Sequence, residues 1–244
     1  MLFKISTICL LITGCLASGQ RPENKTIRCV AVYKNYPVFN AQGKVERFTH
    51  YEERIFYSGE MVMVEMGYQF DSLVNNQLVK SEIRHRYLVY KKGNSAGTLY
   101  DEGTGEELKS VSVDSVLRLQ WFNNLNIYDM FIQNDVTLIS AVRNSSTGTL
   151  KEQYAVVSKK DTAQKGRFDL YYSNRLKDID YSLSRELDSI KGMKLDSILM
   201  VNDAHLFREG NIWIEKVDQW FKLSEDTSFD KLKIQKYFSK YGGS

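Results

Sequence analysis

The chain has 244 residues, 43% apolar and 26% charged, and its 33 Lys+Arg nearly cancel its 30 Asp+Glu to leave +3. These fractions describe a folded globular protein, and three cysteines and two prolines exclude a disulfide scaffold and a collagen-like or proline-rich architecture. The near-neutral balance lacks the basic excess that phosphate neutralisation requires, so no nucleic-acid partner is expected.

The first segment reads as an export signal. Lys4 precedes the apolar run Ile5–Ile12, and mostly small residues follow to Gly19. A short apolar helix ahead of small residues suits the export machinery and its peptidase. It is shorter than the roughly 18–20 residues of a membrane span, and no later segment reaches that length without a charge, so no transmembrane span is expected in the mature chain. Two processing sites compete. Ala17-Ser18-Gly19 before Gln20 gives a signal peptide over 1–19 and a single β-rich domain over 20–244. Ile12-Thr13-Gly14-Cys15 resembles a bacterial lipobox and makes Cys15 a candidate lipid-attachment residue; Leu16 after it tips the balance towards cleavage at Gln20. Either route places the protein in the periplasm or at the outer membrane. Cys29 is then left without a disulfide partner, in a β-like run with no histidine nearby, and is read as packing rather than as a nucleophile. The sequons at Asn24 and Asn144 are coincidental in a bacterial chain.

From Val30 to Tyr100 the pattern is two-residue alternation interrupted by turn residues. Val62, Val64, Met66, Tyr68 and Phe70 share one face, opposite Met63, Glu65, Gly67 and Gln69. Thr49, Tyr51, Ile55 and Tyr57 do the same in the preceding run, and Ser58-Gly59-Glu60 is the hairpin loop between them. Ile83, His85, Tyr87 and Val89 alternate with Arg84, Arg86, Leu88 and Tyr90, ahead of a Lys91–Gly97 loop and a short strand through Leu99. Asp114–Asn123 is a candidate short helix with Val116, Leu117 and Trp121 near one side. Val136–Val142 and Gln153–Ser158 bracket a second hairpin, and Phe168–Ser173 is a further strand. The spacing of Leu183, Leu187 and Ile190 predicts a helix over Ser182–Gly192, capped by Ser182 and closed by Gly192. Leu195–Val201 and Ile212–Val217 return to strand character, and Thr227–Tyr241 ends the chain as a lysine-rich helix with Thr227 and Asp230 as an approximate capping box. Together these elements give an α+β protein: a curved, mainly antiparallel, half-barrel-like sheet of eight to eleven strands with two or three helices packed on one face.

Signatures of catalysis are missing. Ligand-spaced metal clusters, nucleotide-binding glycine loops and a hydrolase elbow are all absent, so no cofactor is expected and a non-catalytic role is favoured. Glu52-Glu53, Asp101-Glu102 and Glu106-Glu107 are neighbours that point to opposite strand faces or lie in solvated turns, not carboxylate pairs facing one cleft. Asp161-Thr162-Ala163 copies half of an aspartic-protease triplet pair, within a polar loop. His50, Glu52 and His85 are the one candidate metal or acid/base set, and a surface role is favoured for them.

Phe168-Asp-Leu-Tyr-Tyr-Ser-Asn-Arg-Leu-Lys-Asp-Ile-Asp-Tyr-Ser-Leu-Ser-Arg-Glu-Leu-Asp-Ser-Ile-Lys-Gly-Met-Lys-Leu195 resembles a segment of exported Bacteroidota envelope proteins and is reminiscent of the GLPGLI-type family. Of that family's motif, Ile190-Lys-Gly-Met-Lys-Leu195 keeps the glycine and its apolar flanks. The resemblance implies a curved sheet with helices in its concavity, similar to lipoprotein carriers of the LolA type, and implies no catalytic residue. The leading functional expectation is a protein that holds an apolar small molecule or lipid in that concavity, with Val62, Val64, Met66 and Tyr68 as the candidate ligand face and the Met61, Met63, Met66 group supplying adaptable contacts. The alternatives are an adaptor that binds an envelope protein through a strand edge, and a hydrolase built around His50, Glu52 and His85.

Overall fold

The computed structural model describes residues 26–74, 77–119, 127–207 and 210–242. The expected signal segment, Cys15 and Trp121 lie outside them. Eleven strands form one curved, unclosed antiparallel sheet, the half-barrel expected from the alternation.

The chain starts at the middle of the sheet. β1 (Arg28–Phe39), β2 (Val45–Ser58), β3 (Met61–Val74), β4 (Gln77–Lys91), β5 (Ala96–Asp101) and β6 (Glu107–Ser112) step outward to one edge. α1 (Val113–Leu119) and α2 (Ile127–Gln133) then lead to the opposite edge. From there β7 (Asn134–Asn144), β8 (Thr149–Ser158), β9 (Lys165–Ser173), β10 (Lys194–Asn202) and, after a small hairpin, β13 (Val217–Asp226) step back until β13 lies beside β1. The central seam runs from Cys29↔Asp226 to Lys34↔Phe221. α3 (Arg185–Lys191) precedes β10, β11 (His205–Phe207) and β12 (Ile212–Ile214) form the small hairpin, and α4 (Lys231–Gly242) follows β13. Bulges at Val38/Phe39, Leu99/Tyr100, Leu138/Ser140 and Leu195/Ser197 add local bend to the strands.

Where helices cover both faces of the sheet, its strands bury apolar residues on both sides. Val62, Val64 and Met66 of β3 belong to a large core shared with Val30, Ile55, Leu170, Ile198 and Phe221. α1, α2 and α3 pack on this face, termed inner, through Val113, Phe131 and Leu187. Met63, between Val62 and Val64, belongs instead to a smaller core with Cys29, Phe56, Tyr87 and Tyr100, against Ile234, Tyr237 and Phe238 of α4. Three helices therefore share one face, as expected, while a fourth covers the other. Met61, Met63 and Met66 are not one cluster: Met66 is inner, and Met61 and Met63 pack with the outer core.

Helix boundaries are set by caps. Ser184, in extended conformation, accepts the Leu187 amide at 3.3 Å and starts α3, while Ser182 supports it by accepting from the Ser184 amide at 3.0 Å and donating to Asp188 at 2.7 Å. Gly192 closes α3 at φ 63°, where a side chain would be strained. α4 begins four residues later than the expected Thr227, because β13 continues to Asp226; Asp230 caps it by accepting the Lys233 amide at 3.0 Å. At the far end of the sheet the β1–β2 turn rests on β12. Gly43 sits at φ +77° with its missing Cβ only 2.3 Å from the Trp213 carbonyl oxygen, so no other residue fits there.

Candidate functional site

A cleft of about 580 Å³ opens on the inner face at the end of the sheet where β1 begins. Its floor is apolar and belongs to the strands: Ile55, Val62 and Val64, with Tyr57 and Tyr90 beside them. Alternation puts these side chains on one face, and antiparallel register puts them side by side, as Ile55↔Val64 and Val62↔Tyr90. The roof is built by Val113 and Leu117 of α1 and by Tyr181 and Leu183 of the segment that leads into α3.

The rim is polar. Lys92 reaches Asp180 at 3.0 Å and lies 5.7 Å from the centre of the Tyr57 ring, a salt bridge with a cation–π contact. Glu186 is engaged by the Ser184 hydroxyl at 3.3 Å. Asp114 and Arg185 complete the charged rim. Burial pushes the Tyr90 hydroxyl up to about 12; Asp180 and Asp114 push it the same way and Arg185 opposes them. Burial likewise raises the Tyr57 and Tyr181 hydroxyls. All three phenols therefore stay protonated at neutral pH and keep their capacity to donate hydrogen bonds within the cleft.

Of the expected ligand face, Val62 and Val64 line the cleft. Met66 is buried in the same core beyond it, and Tyr68 is half-buried with the Arg86 guanidinium 4.3 Å from its ring centre. Neither is a lining residue. Alternation located the face but not its length, because β2 stops pairing with β3 beyond Arg54↔Glu65 and the cleft ends with that pairing. The rim residues Lys92, Asp180 and Arg185 were not singled out from the sequence. The available signal was the capping serines ahead of α3, which turn this polar segment back over the sheet.

The His50, Glu52 and His85 set is not assembled. His50 is exposed opposite Asn35, Glu52 binds Arg54 at 2.9 Å, and the His85 Nδ1 atom lies 2.9 Å from Glu102 instead. Among the described residues no group of three or more His, Cys, Asp or Glu side chains could hold a metal ion. Glu102 is the centre of an outer-face network that accepts from Lys233 of α4 at 2.6 Å and from the Tyr87 hydroxyl at 3.2 Å. Burial raises its carboxyl, but hydrogen bonds and charge from Lys233 and His85 outweigh this and hold it down at about 2. That network ties α4 to the sheet. Cys29 is buried beneath the same face, and burial, reinforced by Asp226, raises its thiol to about 12, far from a reactive thiolate.

One further buried pair lies close to the cleft residue Tyr181, whose hydroxyl the Glu53 charge raises further. The Lys34 ammonium, 2% exposed, binds Glu53 at 2.6 Å on the inner face. Among the described residues no helix is long and apolar enough to cross a membrane. A scan against models of known protein families matches none, and a search of the curated proteins finds no matching relative.

Proposed function

We propose that the protein is an exported, non-catalytic component of a bacterial cell envelope that holds an apolar or amphipathic small molecule, such as a lipid, in the inner-face cleft. The observation that carries this reading is the cleft itself. Its volume of about 580 Å³ falls within the roughly 300–1,000 Å³ of small-molecule sites. Aliphatic and aromatic side chains lie beneath the cleft, and the largely polar stretches 92–95 and 180–186 supply most of its open surface. This arrangement favours a ligand with an apolar body and a polar end. The export signal, whether cleaved at Gln20 or lipidated at Cys15, supports the periplasm or the outer membrane as its place of action.

Native mass spectrometry of the protein purified without detergent tests the reading. The expected result is a stoichiometric adduct of lipid mass that is lost in Leu117→Trp, a substitution that fills the cleft from its roof. A clean apo mass, unchanged after incubation with lipid extract, would reject it.

A second reading, an adaptor that binds another envelope protein through a sheet edge, has one observation in its favour. β7 is an edge strand of eleven residues that pairs only with β8, and Ile139 and Val142 on it are 59% and 64% exposed. Ile139→Lys separates the readings: loss of a partner protein with the lipid adduct intact would favour the adaptor.

A further inference from the structure

The two edges of the sheet are not alike. β6 ends one side with six residues, nearly all exposed, that carry Glu107 and Lys109. A short, charged edge discourages further pairing. β7 ends the other side with eleven residues that include neither lysine nor proline, and it pairs only with β8. Leu138, Ile139 and Val142 on it are all at least half exposed. Val136↔Val156, Leu138↔Tyr154 and Ala141↔Glu152 place Val136, Leu138 and Ala141 on the inner side, in line with Leu150 and Val156 of the inner core. Asp135↔Val157, Thr137↔Ala155, Ser140↔Gln153 and Val142↔Lys151 place their β7 residues on the outer side. The bulge between Leu138 and Ser140 makes the exchange: even-numbered residues point inward before it, and odd-numbered ones after it.

We infer that β7 is the seam of a homodimer, in which it pairs antiparallel with the β7 of a second copy about a two-fold axis between Leu138 and Ile139. Such a pairing must set like faces together. With the axis there, Val136 meets the partner's Ala141 on the inner side, and Leu138 meets the partner's Ile139 at the centre. On the outer side Thr137 meets the partner's Ser140 and Asp135 meets the partner's Val142. Sliding one strand by a single residue would set inward side chains against outward ones, so the bulge fixes the register. The strand thus matches a reversed copy of itself in face and in apolar character, which favours a second copy over an unrelated strand. The dimer stands whatever the cleft holds, and it gives to the protein itself the edge that an adaptor would offer to another protein.

Sedimentation velocity of the purified protein over a concentration series is the test. One strand seam is small for an interface, so a dimer with a dissociation constant of about 10 µM is expected. Ile139→Lys sets two ammonium groups beside each other at the axis and removes two apolar contacts, and should weaken the dimer by about a hundredfold. Val142→Lys meets the partner's Asp135 and should leave the dimer at least as tight. Both substituted residues are exposed, and a melting temperature equal to that of the parent, at dilutions where the parent is monomeric, confirms that each variant is folded. A dimer that survives Ile139→Lys, or that Val142→Lys weakens as much, would overturn the seam. A monomer at every concentration up to about 1 mM would overturn the dimer itself and leave the edge to a different protein.

Discussion

The two faces of the central sheet are made by the same strands and end differently. On the outer face, α4 lays Ile234, Tyr237 and Phe238 directly on Phe56, Met63, Tyr87 and Tyr100, with the Tyr237 ring 4.7 Å from that of Tyr87. The Lys233–Glu102 ion pair and a Lys240 hydrogen bond to the Gly105 carbonyl hold the helix down at its edges. On the inner face three seven-residue helices cover a wider apolar surface. Helices that short reach the core through only a few side chains each, and between α1 and α3 a cleft is left over the strands. Neighbouring residues thus lie under different covers: Met63 is buried beneath α4, while Val62 and Val64, just as buried, lie beneath the cleft between α1 and α3. A long helix that follows the sheet seals it, whereas short helices that cap their own ends leave space.

This contrast can be broken or sharpened by substitution. The largest effect is expected on the outer face. Tyr237→Ala removes two aromatic contacts and a buried ring, and should cost about 3–5 kcal/mol in denaturant unfolding, with no change in the ligand bound per folded molecule. Next comes the inner-face pair of Lys34 and Glu53. Glu53→Gln removes the carboxylate charge that faces the buried Lys34 ammonium and should cost about 3 kcal/mol, while Lys34→Met combined with Glu53→Leu should cost much less; a double variant as unstable as the single one would show that the pair supplies more than charge balance. Ser184→Ala removes the cap of α3 and should cost about 1 kcal/mol. Because the capping serines also shape the roof, this variant should weaken ligand binding, which Tyr237→Ala should not. The smallest effect belongs to the outer network. Glu102 is held at about 2 in the fold, against an ordinary 4.5, so its contribution is present above pH 4.5 and is lost as pH falls towards 2. Thermal melts of Glu102→Gln should show a lower melting temperature than the parent at pH 6, converging with it in that acid window.

The sheet was legible where one strand alternates between two distinct surroundings. β3 reads clearly because Val62, Val64 and Met66 differ in kind from Glu65 and Gly67. The same rule misled at Met63, which was grouped with a mixed face although α4 buries it; a helix nearly 170 residues downstream leaves no trace in the pattern around β3. β13 was overlooked although Val217, Phe221 and Leu223 alternate with Asp218, Trp220, Lys222 and Ser224, because Asp218, Lys222 and Glu225 gave it a polar look. β6 is not among the expected strands, since it is an exposed edge of six residues without an apolar face, and only its first residue, Glu107, falls in the expected Asp101–Glu107 turn. α2 escaped because seven residues give a helical period too few repeats. At the site, the floor residues followed from alternation, whereas the rim did not, since Lys92 and the Asp180–Arg185 segment come from two distant stretches that only the tertiary fold brings together.

The seam between β1 and β13 has a consequence for how the chain acquires its structure. Arg28 and Glu225, which bind each other across it, are 197 residues apart, so the first strand made is completed by the last. β1 to β6 and β7 to β10 can each pair locally, neighbour by neighbour, as they emerge. The edge of β1, with Val30 and Val32 on it, stays open until β13 arrives. Such a non-local closure carries a large loop entropy and sets a slow final step. A chain interrupted anywhere before Val217 keeps an apolar strand edge exposed in the middle of its sheet, the form most prone to join another copy of itself. The seam therefore closes only once β13 has been made, which follows from where its two partner strands lie along the chain.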